Sequence, residues 1–142
     1  MINNKLNIVL DTNVFMVSIL PHHKYFWIFD ALQNNAYNLL ISNEIIMEYQ
    51  EKLAVKYSIS QTDISLDYLQ LMPNVIPIVP YYHWNLITAD PDDNKFVDCA
   101  FLGNAHYIVT HDKHFDVIKN VPFPKVKVIK IPEFQEILFG TK

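Results

Sequence analysis

Ile8-Val9-Leu10-Asp11-Thr12-Asn13 is an apolar run that stops on an acid and two turn-forming polar residues, and Ile108-Val109-Thr110-His111-Asp112 repeats the arrangement near the other end of the chain. A short β-branched run of this kind reads as a buried strand. Its terminal carboxylate then stands at the carboxyl end of a sheet, where open α/β folds bind their ligands. Two strands ending alike are less expected by chance, and they bring a shared site for Asp11 and Asp112 level with two unrelated turn or loop acids. Taken alone, Asp11 is better explained as a turn or cap residue and Asp112 as a loop acid, with Asp116 a competing one.

Working outward, strands are expected at 6–10, 37–41, 75–79, 107–110 and 126–129, with Pro77 demoting the third toward an edge. Between them lie a helix start around 11–14, a helix at 25–32 after Pro21-His22-His23, and a helix from the N-cap Ser42 to about Lys56. A further helix is expected at 62–71, closed by Met72-Pro73, and a terminal one at 132–139. The clearest helix opens at Asp90-Pro91-Asp92-Asp93, with Asp90 as N-cap, Pro91 in the first helical position and acids in the first turn. Its apolar face is Phe96, Cys99, Ala100 and Gly103. Strands alternating with helices predict an α/β fold: three layers, with a mostly parallel central sheet of about five strands covered on both faces. No repeat or linker interrupts it, so residues 1–142 are read as one domain.

The chain has 142 residues, a length at which a domain buries about 68–70% of its unfolded surface and so builds a real core. The net charge is −4, and there is no arginine. Bidentate guanidinium recognition of phosphate is thereby excluded within the chain, and phosphate contacts fall to lysines. Net acidity does not exclude a nucleic-acid partner, because several acids lie in the candidate site, where bound cations reverse the local field. Cys99 is the only cysteine, which excludes an internal disulfide and a cysteine-based metal cluster and suits a reducing compartment. The apolar runs are too short to span a bilayer, and Met1-Ile2-Asn3-Asn4-Lys5-Leu6-Asn7 lacks a signal-peptide pattern. A cytoplasmic location is expected.

Three further groups bear on chemistry. Asp93 lies three residues before Phe96 and four before Val97, beside the buried face of its helix, where a carboxylate is costly without a partner. Asp90 reads as a cap, and Asp92 points further toward solvent. Glu44, Glu48 and Glu51 form a helical stripe beside Ile45, Tyr49 and Leu53, and such stripes are usually solvated. His22, His23, His106, His111 and His114 show no zinc-ligand spacing and read as surface or loop residues, although His111, next to Asp112, is placed to meet a substrate phosphate. Cys99, among core residues, reads as packing.

Taken together, Ile8-Val9-Leu10-Asp11-Thr12-Asn13, Ser42-Asn43-Glu44-Ile45-Ile46-Met47-Glu48-Tyr49, Asp90-Pro91-Asp92-Asp93-Asn94-Lys95-Phe96 and Ile108-Val109-Thr110-His111-Asp112 resemble, in order and spacing, the PIN-domain family. The likeness is greatest to its single-domain members grouped as toxins of toxin–antitoxin pairs. It implies a three-layer α/β/α fold and a ribonuclease dependent on one or two Mg²⁺ or Mn²⁺ ions. Asp11, Glu48, Asp93 and Asp112 match the family's acidic quartet as catalytic residues and metal ligands, with Asn13, Asp92 and Asp116 in supporting positions. The acid-rich phrase leaves Asp92 and Asp98 as alternatives to Asp93. Lys95, Lys113, Thr110 and His111 are the expected substrate contacts. RNA is the implied substrate, an antitoxin protein the implied partner, and a homodimer is carried by the resemblance alone.

Two other classes fit less well. A phosphoaspartate hydrolase needs a second aspartate two residues after Asp11, where Asn13 stands. A non-catalytic binding module of the same fold has no need of all four acids.

Overall fold

The computed structural model describes residues 5–88, 90–122 and 125–140. Its centre is a five-stranded sheet of β1 (Asn7–Leu10), β2 (Asn38–Ile41), β3 (Val75–Pro77), β4 (Tyr107–Val109) and β5 (Val128–Ile129), in the order β3-β2-β1-β4-β5. Every pairing is parallel. Consecutive residues of a strand point to opposite faces, so the near-complete burial of Ile8, Val9 and Leu10, and of Leu39, Leu40 and Ile41, requires cover on both sides. Helices α1 (Thr12–Ser18), α2 (Trp27–Gln33), α3 (Asn43–Lys56), α4 (Ile59–Leu71), α5 (Asn94–Leu102) and α6 (Ile131–Phe139) supply it, giving the three-layer α/β/α architecture. Among the described residues no helix is long and apolar enough to cross a membrane.

The element boundaries follow local chemistry. Ser42 Oγ accepts from Ile45 N at 3.3 Å and starts α3 where expected. Ser58 Oγ accepts from Gln61 N at 3.1 Å, so α4 begins at Ile59, earlier than the expected 62. Pro77 ends β3, which is indeed an edge strand, and β5 is only two residues long. Asp90 caps as anticipated, its Oδ1 accepting from Asp92 N at 3.2 Å, but Pro91–Asp93 is a 3₁₀ turn that leads into α5. A second 3₁₀ segment, Lys113–Asn120, was not expected. Its buried residues Phe115 and Ile118 are three apart, the period of that helix rather than of a strand or α-helix.

Helix α5 ties the chain before it to the sheet. Asn94 brackets Ile87, accepting from its N–H and donating to its carbonyl, both at 2.8 Å. The buried Asp98 accepts from Trp84 N at 3.0 Å and pairs with His83 Nδ1 at 3.0 Å. Asp98 is therefore a structural anchor for residues 83–84, which is the role its neighbours give it in place of the alternative metal-ligand role. Cys99 is fully buried, and burial pushes its thiol up to about 12, as a packing residue requires.

Candidate metal centre

Strands β1 and β4 lie side by side with Leu10 opposite Val109, so their following residues leave the sheet together. Asp11 N–H still bonds Val109 O at 3.1 Å, holding the turn against β4. The Asp11 carboxylate is buried and doubly held: Oδ1 accepts from Thr12 N at 2.7 Å, and Oδ2 from Thr110 Oγ1 at 2.8 Å. Thr110 Oγ1 in turn accepts from Asp112 N at 3.0 Å. One hydroxyl thus fixes the spacing of the two strand-end acids.

Helix α3 brings Glu48 to the same place. Thr12 Oγ1 donates to Glu48 Oε2, and Lys95 Nζ donates to Glu48 Oε1 at 2.6 Å, with both long side chains largely buried. Next to Glu48, the Tyr49 hydroxyl donates to Leu10 O at 2.5 Å while its ring stacks on Phe15 at 4.1 Å between centroids. That clamp fixes α3 to the end of β1 and α1, and so sets where Glu48 points.

Asp93 completes the group from the start of α5. It is only 7% exposed, and its Oδ2 has no hydrogen-bond donor among the described residues. His114 Nδ1 stands 3.6 Å from Asp93 Oδ2 and 3.3 Å from Asp112 Oδ1. Contacts thus run from Glu48 through Thr12 to Asp11, through Thr110 to Asp112, and by His114 to Asp93. An open cleft of about 330 Å³ beside them is lined in part by Asp11, Asn13, Tyr25, His111 and Asp112. Larger depressions, of about 390 Å³, lie against α3 and α4 and include none of these acids.

The electrostatics follow from crowding acids in a buried place. Burial lifts the Asp11 carboxyl above the usual range, and Asp112 and Glu48 add to this, against the lowering effect of the Thr110 and Thr12 hydrogen bonds. Burial, then the charges of Asp90, Asp11 and Asp112, pushes Asp93 up to about 7. Two carboxylates are both acceptors, so only a proton or a cation between them relieves Asp93 and Asp112. A carboxylate-rich cluster with an orphaned buried carboxylate oxygen fits a divalent cation such as Mg²⁺ or Mn²⁺.

The expected supporting and substrate residues divide. Asn13 and His111 are exposed at the cleft, and Lys113 is exposed beside it. Thr110 is buried and positions acids, which leaves it no face for substrate. Lys95 is engaged by Glu48. Asp92 is exposed, and Asp116 turns to Lys119 at 3.2 Å. Sequence reasoning missed His114, hidden by the unrecognised 3₁₀ segment, and Thr12, an ordinary turn residue until Glu48 is placed beside it.

The model of the PIN domain, a family whose members are generally nucleases, matches residues 7–114. The chain belongs to the PIN-domain family. Its fold is similar to that of VapBC2 from Rickettsia felis, solved bound to a DNA fragment from their promoter, at 20% identity and a TM-score of 0.63 over 88% of this chain and 98% of that one. It is also similar to FitAcB from Neisseria gonorrhoeae, at 16% identity and a TM-score of 0.51 over 86% of this chain and 96% of that one. FitAB bound to an IR36 DNA fragment is 15% identical, with a TM-score of 0.52 over 87% and 94% of the two chains. These neighbours are toxin–antitoxin proteins. No curated protein matches the chain.

Proposed function

We propose that this PIN-domain protein is a cytoplasmic, Mg²⁺- or Mn²⁺-dependent endoribonuclease and the toxin of a toxin–antitoxin pair. The observation that carries the reading is the buried Asp93 Oδ2 without a donor, set against Asp112 and joined through bridging side chains to Asp11 and Glu48. Asp11, Asp93 and Asp112 are the residues that would hold the cation, with Glu48 a ligand or an orienter of water. When bound, the cation supplies activation of water and neutralisation of charge on the scissile phosphate. The chain's own part is to fix the acids before substrate arrives. Thr110 sets Asp11 against Asp112, Thr12 and Lys95 hold the two oxygens of Glu48, and no side chain is required as a nucleophile. His111 and Lys113, exposed beside the cleft, meet the phosphate backbone.

The toxin assignment rests on the fold shared with the toxin–antitoxin neighbours, and the partner it calls for is an antitoxin protein. The reading is tested with purified protein on single-stranded RNA in Mn²⁺ or Mg²⁺ and again in chelator. Wild type cleaves only with metal, and Asp11→Asn and Asp112→Asn, folded by circular dichroism, do not cleave. Cleavage that survives chelator removes the metal mechanism.

A further inference from the structure

His114 is the group that the family reading leaves unused. It is the second residue of the 3₁₀ segment, its N–H bonded to Asp112 Oδ1 at 2.9 Å, and this fixes the base of its side chain at the acids. One donor atom each from Asp90, Asp93 and His114 lies within 4.8 Å of the others. Donors on a single ion with bonds of about 2.1 Å stand at most about 4.2 Å apart, so a small inward movement of these side chains makes one coordination sphere. Asp90 has a role already, but a partial one: its Oδ1 takes Asp92 N–H, and that bond leaves its second oxygen to serve elsewhere. Asp93 Oδ2, buried and without a donor, is aimed at the same place.

We infer that Asp90, Asp93 and His114 form a divalent-cation site whose imidazole nitrogen makes it select a first-row transition cation such as Mn²⁺ over Mg²⁺. Two carboxylates and a neutral imidazole balance a double positive charge. Mg²⁺ prefers oxygen donors and gives up its waters reluctantly, whereas imidazole is a good ligand for transition cations. A site built of carboxylates alone lacks that source of discrimination. The inference rests on the metal-binding part of the proposed function and is independent of the substrate.

The test reads binding. Chelator-stripped wild type, His114→Ala and Asp90→Asn are titrated calorimetrically with Mn²⁺ and with Mg²⁺, and the Mn²⁺ complexes are examined by electron paramagnetic resonance for nitrogen hyperfine coupling. Wild type is expected to prefer Mn²⁺ by tenfold or more and to show the coupling. His114→Ala loses the coupling and brings the two affinities within about threefold, and Asp90→Asn weakens binding while keeping the coupling. Absence of nitrogen coupling in wild type overturns the inference, as does a Mn²⁺ to Mg²⁺ ratio unchanged in His114→Ala. Tighter binding of both ions by His114→Ala also overturns it, because His114 would then be a counter-charge that metal displaces. If wild type binds neither ion, it is the metal dependence of the proposed function that falls.

Discussion

Asp93 carries the sharpest consequence for solution behaviour. Its carboxyl is raised from the 3.8 of an unfolded aspartate to about 7, and Asp11 is raised as well. The unfolded chain therefore releases these protons first. Metal-free protein should lose stability as pH climbs from about 4 toward 7, the sign expected when the folded state binds more protons. Melting curves in chelator across that range should show the fall in wild type and a flatter profile in Asp93→Asn, with added Mn²⁺ raising the wild-type midpoint most at the upper end. Saturation a hundredfold above the dissociation constant contributes about 2.7 kcal/mol. Thr110→Val keeps the shape of the residue but removes the hydroxyl between Asp11 and Asp112. It should cut metal-dependent cleavage at least tenfold, with a cost to the metal-free fold of up to about 1–3 kcal/mol read from denaturant unfolding. Asp11 and Asp112 were legible in the sequence because strand ends are fixed by short apolar runs. Glu48 was legible only through the family resemblance, since by pattern Glu44, Glu48 and Glu51 look alike until the Tyr49 clamp sets the rotation of α3. Lys95 misled for a related reason: a lysine beside acids reads as a phosphate ligand, and nothing in the sequence puts Glu48 2.6 Å away.

At the level of elements, helix caps decide much of the agreement between expectation and structure. Ser42 and Asp90 stand at recognisable starts, whereas Ser58 opens α4 ahead of a polar turn in which no apolar period is visible. The 3₁₀ segment was illegible for a different reason, since its two core residues make too short a pattern to separate from a loop. The Asp98 anchor yields a graded test. Asp98→Asn keeps an acceptor for Trp84 N–H, while Asp98→Ala removes it and should cost about 1–3 kcal/mol in urea unfolding. The pair with Asp98 raises His83 above its ordinary 6.5, so this contribution is full below that pH and disappears as pH rises through the raised value. Histidine titration followed by proton NMR should return His83 to its ordinary range in Asp98→Ala. An unmoved His83 would show that the pair does not persist in solution.

Over the whole molecule, acidity and the lack of arginine limit how the proposed RNA substrate is held. With lysines alone to neutralise phosphates, single-strand affinity should be modest and fall with added salt at about 0.7 logarithmic units per phosphate contact for each tenfold rise. Lys113→Glu is expected to weaken RNA binding severalfold in filter or fluorescence assays without changing metal affinity, whereas Lys95→Glu, facing Glu48, should disturb both. Equal effects from the two would place the phosphate path elsewhere. The strand order carries one more consequence, for the chain as it is being made. β1, β2 and β3 pair from residues 7–77 alone, but the partner on the other side of β1 is β4, at 107–109, and Asp112 follows it. A chain leaving the ribosome at about 5–20 residues per second therefore spends seconds with three of its five strands available and Asp11 without Asp112. On the proposed function, the acidic group stays incomplete beside the messenger that encodes it until Asp112 has emerged.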